Sequence, residues 1–231
     1  WLKLCSRPAT MLPLIPALLV RFVSMSSASS PRWLVFGDSL TDGWQSFSSG
    51  PGQGFVPYLT KAFSDQKVNV EITARGQAGR TAAGADAQLS RELKARPYDV
   101  VLIFLGANDL LVDVMGSGGL PRQSTIDATL GHLKDLHKIA RESGARTVAL
   151  DLLHHPMIES LDEGLEAIEA FNKRIESDVQ ADAFIDIANL LPASKWQWSA
   201  DQVHLQQATY AELGQELAKP LLDSLGLKRN L

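Results

Sequence analysis

The feature that most constrains this chain is an alternation. Five short apolar segments, at 33–37, 68–74, 100–105, 147–153 and 183–187, are separated by stretches whose apolar residues recur at helical spacing. The third segment, 100–105, is six apolar residues in a row, which suits a strand buried on both faces. Helices are expected at 54–65, 82–95, 126–143, 161–179 and 208–225. The first carries Phe55, Tyr58, Leu59 and Phe63 on one face. The helix at 126–143 carries Ile126, Leu130, Leu133, Leu136 and Ile139, with Gly144 as its stop. Strand and helix alternating in this way predict an α/β chain: a five-stranded parallel sheet covered by helices on both faces, in a three-layer α/β/α sandwich with right-handed crossovers. Its 231 residues, 45% of them hydrophobic, suffice for one globular core, and no internal repeat divides them.

Residues 1–30 differ from the rest. They hold no acidic residue, a short apolar run broken by Pro13 and Pro16, and then a small polar stretch from Ser24 to Ser30. That pattern reads as a targeting segment, secretory or organellar, or as untranslated sequence ahead of a start at Met25, which would leave the protein cytoplasmic. Either way residues 1–30 are set apart from a domain spanning 31–231. Without Lys3, Arg7 and Arg21 that domain has 19 basic against 26 acidic residues, a balance that does not invite nucleic acid. The lone cysteine, Cys5, excludes a disulfide framework and a cysteine zinc site. No run is long and apolar enough for a stable membrane span. Oligomeric state is not readable.

Ligands in an open parallel sheet sit beyond the carboxyl ends of its strands. Ser39 follows the first strand, Gly79 the second and Asn108 the third. Asp201 and His204 lie in the loop before the last helix, which can return to the same edge. A serine, a histidine and a carboxylate are the parts of nucleophilic acyl transfer, and a backbone N–H with a side-chain amide can hold an oxyanion. Each also has a plainer reading. Gly37-Asp38-Ser39 is an ordinary turn sequence, Gly79 a turn residue, His204 a surface histidine, and Asn108 or Asp109 a helix cap. His154 with His155, and His132 with His137, lack the spacing of a helical metal pair. Trp196 and Trp198 read as core or pocket wall. The loops at 44–53 and 113–123 are expected to line the pocket. The Gly-Pro-Gly-Gln-Gly run in the first follows no strand, so it is a poor phosphate cradle. A Gly-x-Ser-x-Gly elbow is absent, because Thr41 stands at its second glycine.

Four blocks in order make the chain resemble the GDSL, or SGNH, hydrolase family. They are Gly37-Asp38-Ser39-Leu40, Ala78-Gly79-Arg80-Thr81, Gly106-Ala107-Asn108-Asp109 and Asp201-Gln202-Val203-His204. The resemblance covers residues 33 to about 225. It implies the SGNH, flavodoxin-like fold and a serine ester hydrolase of carboxylesterase, arylesterase or lysophospholipase type acting on a small-molecule ester. It implies a triad of Ser39, His204 and Asp201 and an oxyanion hole of Ser39, Gly79 and Asn108, with no metal or cofactor. An acyltransferase or a carbohydrate acetylesterase using the same site, and a non-catalytic carbohydrate-binding protein of the same fold, are the alternatives. Two positions depart from the family pattern. Ala74 stands where many members have Asn, and Arg80 where an acidic residue is common.

Overall fold

A computed structural model describes residues 30–47, 50 and 52–227. The targeting or untranslated reading of residues 1–30 therefore falls, but for Ser30, outside the described residues.

Five strands form one parallel sheet: β1 (Arg32–Gly37), β2 (Glu71–Arg75), β3 (Val100–Phe104), β4 (Arg146–Leu150) and β5 (Ala183–Ile185), in the order β2-β1-β3-β4-β5. The helices are α1 (Ser39–Asp42), α2 (Val56–Asp65), α3 (Asp86–Ala95), α4 (Ala107–Ser117), α5 (Gln123–Glu142), α6 (Pro156–Glu159), α7 (Gly164–Asp178) and α8 (Gln207–Leu225).

Alternate residues of each strand face opposite layers. Trp33, Val35, Val100, Leu102 and Phe104 pack with Leu59 and Phe63 of α2 and with Tyr210, Leu213, Leu217 and Leu221 of α8. Leu34, Phe36, Val101 and Ile103 pack the other way, against Leu89 of α3, Leu133 and Leu136 of α5, and Phe171 and Ile175 of α7. The α/β three-layer arrangement is thus the expected one. The crossover from β1 to β2 uses α2 on one face. Those from β2 to β3, β3 to β4 and β4 to β5 run the opposite way along the sheet and use α3, α5 and α7 on the other face. That division is what a common handedness requires. The strand order reverses between β1 and β3, which opens a crevice at their carboxyl ends.

The helix expected at 82–95 begins only at Asp86 and the strand expected at 183–187 ends at Ile185. Three further segments differ from the sequence expectation. Residues 107–117 are helix α4, whose last part, 113–117, occupies the first half of the expected 113–123 loop, so the loop shrinks to a short link after Gly118 at φ 70°. Leu110, Leu111 and Val114 bury that helix's inner face, and the glycines at 116, 118 and 119 hide its periodicity in the sequence. The second strand pairs only from Glu71, although Val70 is already buried. The fourth leaves the sheet after Leu150. Leu152 stays buried there because the Asn172 side chain replaces a ladder partner, accepting from its N–H at 3.0 Å and donating to its carbonyl at 2.8 Å.

Helices α2 and α8 pack closely, and a glycine sets the spacing. A Cβ on Gly214 would lie 2.3 Å from the Phe55 carbonyl oxygen and 2.7 Å from the Tyr58 Cβ. Gly131, exposed on α5, has nothing within 4 Å of the same position. Gly131→Ala should therefore add about 0.5–1 kcal/mol through helix propensity. Gly214→Ala should cost about 1–3 kcal/mol through overpacking. Thermal denaturation by circular dichroism reads both: Tm rises in the first variant and falls in the second, and a Gly214→Ala protein as stable as the parent would contradict the close-contact account.

Candidate active site

The first element of the site is the abrupt exit from β1. A Cβ on Gly37 would lie 2.0 Å from Thr41 Oγ1 and 2.7 Å from the Phe104 carbonyl oxygen. Only glycine leaves room for the chain to fold back so tightly. Ser39 then opens the single turn α1. Asp38 caps it, accepting from the Leu40 N–H at 2.9 Å, and Gly43, at φ 81°, closes it by donating to the Ser39 carbonyl at 2.9 Å. As the first residue of the turn, Ser39 has a backbone N–H with no partner inside the helix.

The histidine arrives on a small hairpin. Trp198 and Leu205 form an antiparallel bridge, and the Ser199 N–H donates to the His204 carbonyl at 2.8 Å. At its tip Asp201 Oδ1 accepts from the backbone N–H groups of Val203 and His204, both at 3.0 Å. Its Oδ2 faces His204 Nδ1 at 2.8 Å, and His204 Nε2 faces Ser39 Oγ at 3.0 Å. Ser39, His204 and Asp201 thus form one hydrogen-bonded line. A carboxylate accepts only, so it selects the imidazole tautomer with the proton on Nδ1 and leaves the Nε2 lone pair toward the hydroxyl. Burial works to raise the Asp201 pKa, but the bonds from the His204 ring and from the two backbone N–H groups outweigh it and hold the carboxyl below its ordinary range. His204 is buried, with the exposed Phe47 ring edge-on to it at 5.2 Å between centroids. The Phe47 N–H also donates to Asp201 Oδ2, at 3.1 Å.

The second and third exits approach from β2 and β3. Gly79 lies in an exposed turn at φ 70°, and its N–H finds no acceptor among the described residues. Two contacts tie this turn to β1: the Gln77 N–H donates to the Gly37 carbonyl at 3.2 Å, and Arg80 Nη1 donates to the same oxygen at 2.6 Å. Arg80 also donates to the Arg75 carbonyl at 2.6 Å and lies 4.2 Å over the Phe36 ring. The arginine at this departing position is therefore a clamp between the two strand ends.

Asn108 is not a helix cap. The N-cap of α4 is Gly106, at φ 117°, and Asn108 sits inside the first turn. Its Nδ2 donates to the Arg80 carbonyl at 3.0 Å and to Asp38 Oδ2 at 3.2 Å. Asp109, expected as a cap, instead accepts from the Ala82 N–H at 2.8 Å and so pins the far end of the Gly79 turn. Sequence spacing carries no signal for the bridging role of Asp38, for the Phe47 contact, or for His155, which is buried against Trp198 at 4.9 Å between ring centroids. Among the described residues no group of three His, Cys, Asp or Glu side chains is placed to hold a metal ion.

Asp38 is 2% exposed, and burial pushes its pKa up to about 7. The folded chain therefore keeps a proton there that the unfolded chain releases near pH 3.8. Between those values the native state binds more protons than the unfolded state, so stability falls as pH rises and levels off above about 7. Asp151, also buried and pushed up to about 8, adds a slope of the same sign. Asp201 has the opposite sign but acts only in more acid solution. His137 and His155, which burial pushes down to about 3 and about 4 from 6.5, carry the opposite sign up to about pH 6.5 and offset the two carboxyls there. Tm should accordingly decline only above that, from about pH 6.5 to about pH 8. Asp38→Asn should show a shallower decline, with the Asp151 part remaining. An unchanged slope in that variant would mean that Asp38 titrates as an ordinary carboxylate.

The sequence profile of the GDSL-like Lipase/Acylhydrolase family matches residues 35–212. Comparison with curated proteins gives no match. Among solved structures, the lipase/acylhydrolase from Enterococcus faecalis superposes with a TM-score of 0.66 at 20% identity, covering 87% of this chain and 99% of that one. The psychrotrophic esterase EstA from Pseudoalteromonas sp. gives 0.64 at 20% identity, over 85% of this chain and 100% of that one. A variant of an acetyl-xylooligosaccharide esterase from Geobacillus stearothermophilus gives 0.63 at 18% identity, over 87% and 96%. At such identities the likeness is one of fold.

Proposed function

Since the chain belongs to the GDSL-like lipase/acylhydrolase family and is in class an ester hydrolase, we propose that it cleaves carboxylic esters through a covalent acyl-enzyme on Ser39. The observation that carries this reading is the unbroken line from Asp201 Oδ2 to His204 Nδ1, at 2.8 Å, and from His204 Nε2 to Ser39 Oγ, at 3.0 Å. Ser39 Oγ attacks the acyl carbon while its proton passes to His204 Nε2. Asp201 stabilises the imidazolium that forms. The negative charge moves to the former carbonyl oxygen, where the N–H groups of Ser39 and Gly79 and the Asn108 amide receive it. Collapse of this intermediate expels the alcohol oxygen, protonated by His204. Water, deprotonated by the same nitrogen, then releases the acid and restores Ser39.

The Asn108 amide has a particular part to play. Both of its N–H groups are engaged in the free protein, and the 3.2 Å bond to Asp38 is the longer of the two. The oxyanion, which exists only after attack, competes for that N–H. An interaction made in the transition state and not in the ground state appears in kcat and not in KM.

Ser39→Ala should abolish labelling by a fluorophosphonate probe and reduce ester hydrolysis to background in a protein whose circular dichroism is unchanged. Asn108→Ala should lower kcat by about 10²- to 10³-fold with KM little altered, the usual value of one oxyanion donor. Wild-type kcat in folded Asn108→Ala would remove this side chain from the oxyanion hole, and near-wild-type turnover in Ser39→Ala would sink the mechanism.

A further inference from the structure

We propose that the acyl side of this site is a closed apolar recess that admits a group of acetyl size and rejects longer chains. The inference rests on Ser39 being the nucleophile. The recess lies among Leu40, Phe104, Ala107, Leu111, His155 and Ile158. Leu40 and Ala107 are the chain neighbours of Ser39 and Asn108, Leu111 lies one turn along α4 on the same side as Asn108, and His155 is near enough to feel the charges of His204 and Asp201, so the recess adjoins the site.

Direction follows from the chemistry. The leaving alcohol must reach His204 Nε2, the atom that protonates it, and the exposed Phe47 ring stands edge-on to the same imidazole. The oxyanion is taken by the N–H donors. The third substituent of the tetrahedral carbon, the acyl chain, is left with the direction of the recess, whose walls are almost wholly apolar.

The size of the recess sets the selectivity. Its free volume is about 10 Å³, and a cavity needs roughly 10–15 Å³ on that measure to hold one water. The recess is therefore of one-water size at most, so a methyl group already presses on its walls and any longer acyl chain must displace them. The walls do not yield easily, because Leu40, Phe104, Leu111 and Ile158 are each at least nine-tenths buried and are set by four different parts of the fold. They come from α1, the end of β3, α4 and α6 respectively.

His155 adds a second restriction. It is 4% exposed, and neither ring nitrogen makes a hydrogen bond of normal geometry. The backbone of Val203 favours its charged form, but burial is the larger effect and pushes its pKa down to about 4. At neutral pH the recess thus presents no cation, and an acyl group ending in a carboxylate gains no partner there.

The test is a chain-length series of p-nitrophenyl esters from acetate to octanoate, with active sites counted by fluorophosphonate titration. One excess methylene in a filled pocket costs roughly 10-fold or more in kcat/KM. Wild-type kcat/KM should therefore fall at least about tenfold from acetate to butyrate. Leu111→Ala and Ile158→Ala, which each open the recess, should raise the butyrate-to-acetate ratio by about tenfold. A wild-type optimum at hexanoate or octanoate, with Ser39 labelled, overturns the recess and leaves the hydrolase reading standing. An acetate preference that neither folded variant relaxes also overturns it, since the selectivity then has another source. Failure of Ser39 to label at all overturns both. The wild-type profile is decisive by itself if either variant does not fold.

Discussion

A steric constraint at Gly37 underlies much of what is distinctive in this molecule. The strand before it is locked between two neighbours, with Gly37 in register with Phe104 of β3. The chain must stop there and double back within a few residues, and the space between Thr41 Oγ1 and the Phe104 carbonyl admits no side-chain carbon. Because the turn is so tight, Ser39 emerges at the edge of the sheet and not on one of its covered faces. Because β1 and β3 straddle the reversal of strand order, that edge also borders the crevice at their carboxyl ends. Sheet topology and one missing methyl group together explain why a polar hydroxyl is available in a part of the molecule otherwise packed with leucine and phenylalanine.

Asp38 shows the electrostatic cost of the arrangement. One carboxylate caps the turn of the serine through Oδ1 and holds the Asn108 amide through Oδ2. Burial without a directly paired cation makes its charged form expensive, hence its raised pKa. Arg80 is close enough to favour the charge, but the hydrogen bonds of its guanidinium go to the Gly37 and Arg75 carbonyls and to the Gln77 and Gln88 side chains. The clamp on the strand ends and neutralisation of the carboxylate draw on the same guanidinium, and the clamp takes the direct contacts.

Much of this was legible in the amino-acid sequence, for identifiable reasons. Strands such as β3 announce themselves because both faces are buried, and Ser39, Asn108 and His204 stand out because polar residues cluster where such strands end. Helix α4 was hidden because its last turn contains Gly116 and is followed by Gly118 and Gly119, while its inner face is defined only by packing. The end of β4 was misjudged because Leu152 and Leu153 remain apolar and buried after the ladder has ceased. Contacts between distant segments left no trace in local spacing. The Phe47 N–H reaches Asp201 across 154 positions, and the neutral, unbonded state of His155 follows from its surroundings alone. The plain reading of Asn108 as a cap failed because a glycine, at a φ that other residues avoid, had already taken the capping position.

The hairpin carrying Asp201 and His204 also bears on how the molecule comes into being. These two residues are three positions apart and share backbone bonds, so their pairing is a short-range event that a largely unstructured chain can reach quickly. The contact of His204 with Ser39 spans 165 positions, from the first strand to the loop before the last helix. Closing it carries the loop-closure cost of bringing together the two ends of the fold. Formation of the Ser39–His204 contact during refolding therefore reports a highly non-local step of assembly, whereas the Asp201–His204 pair can be ready long before.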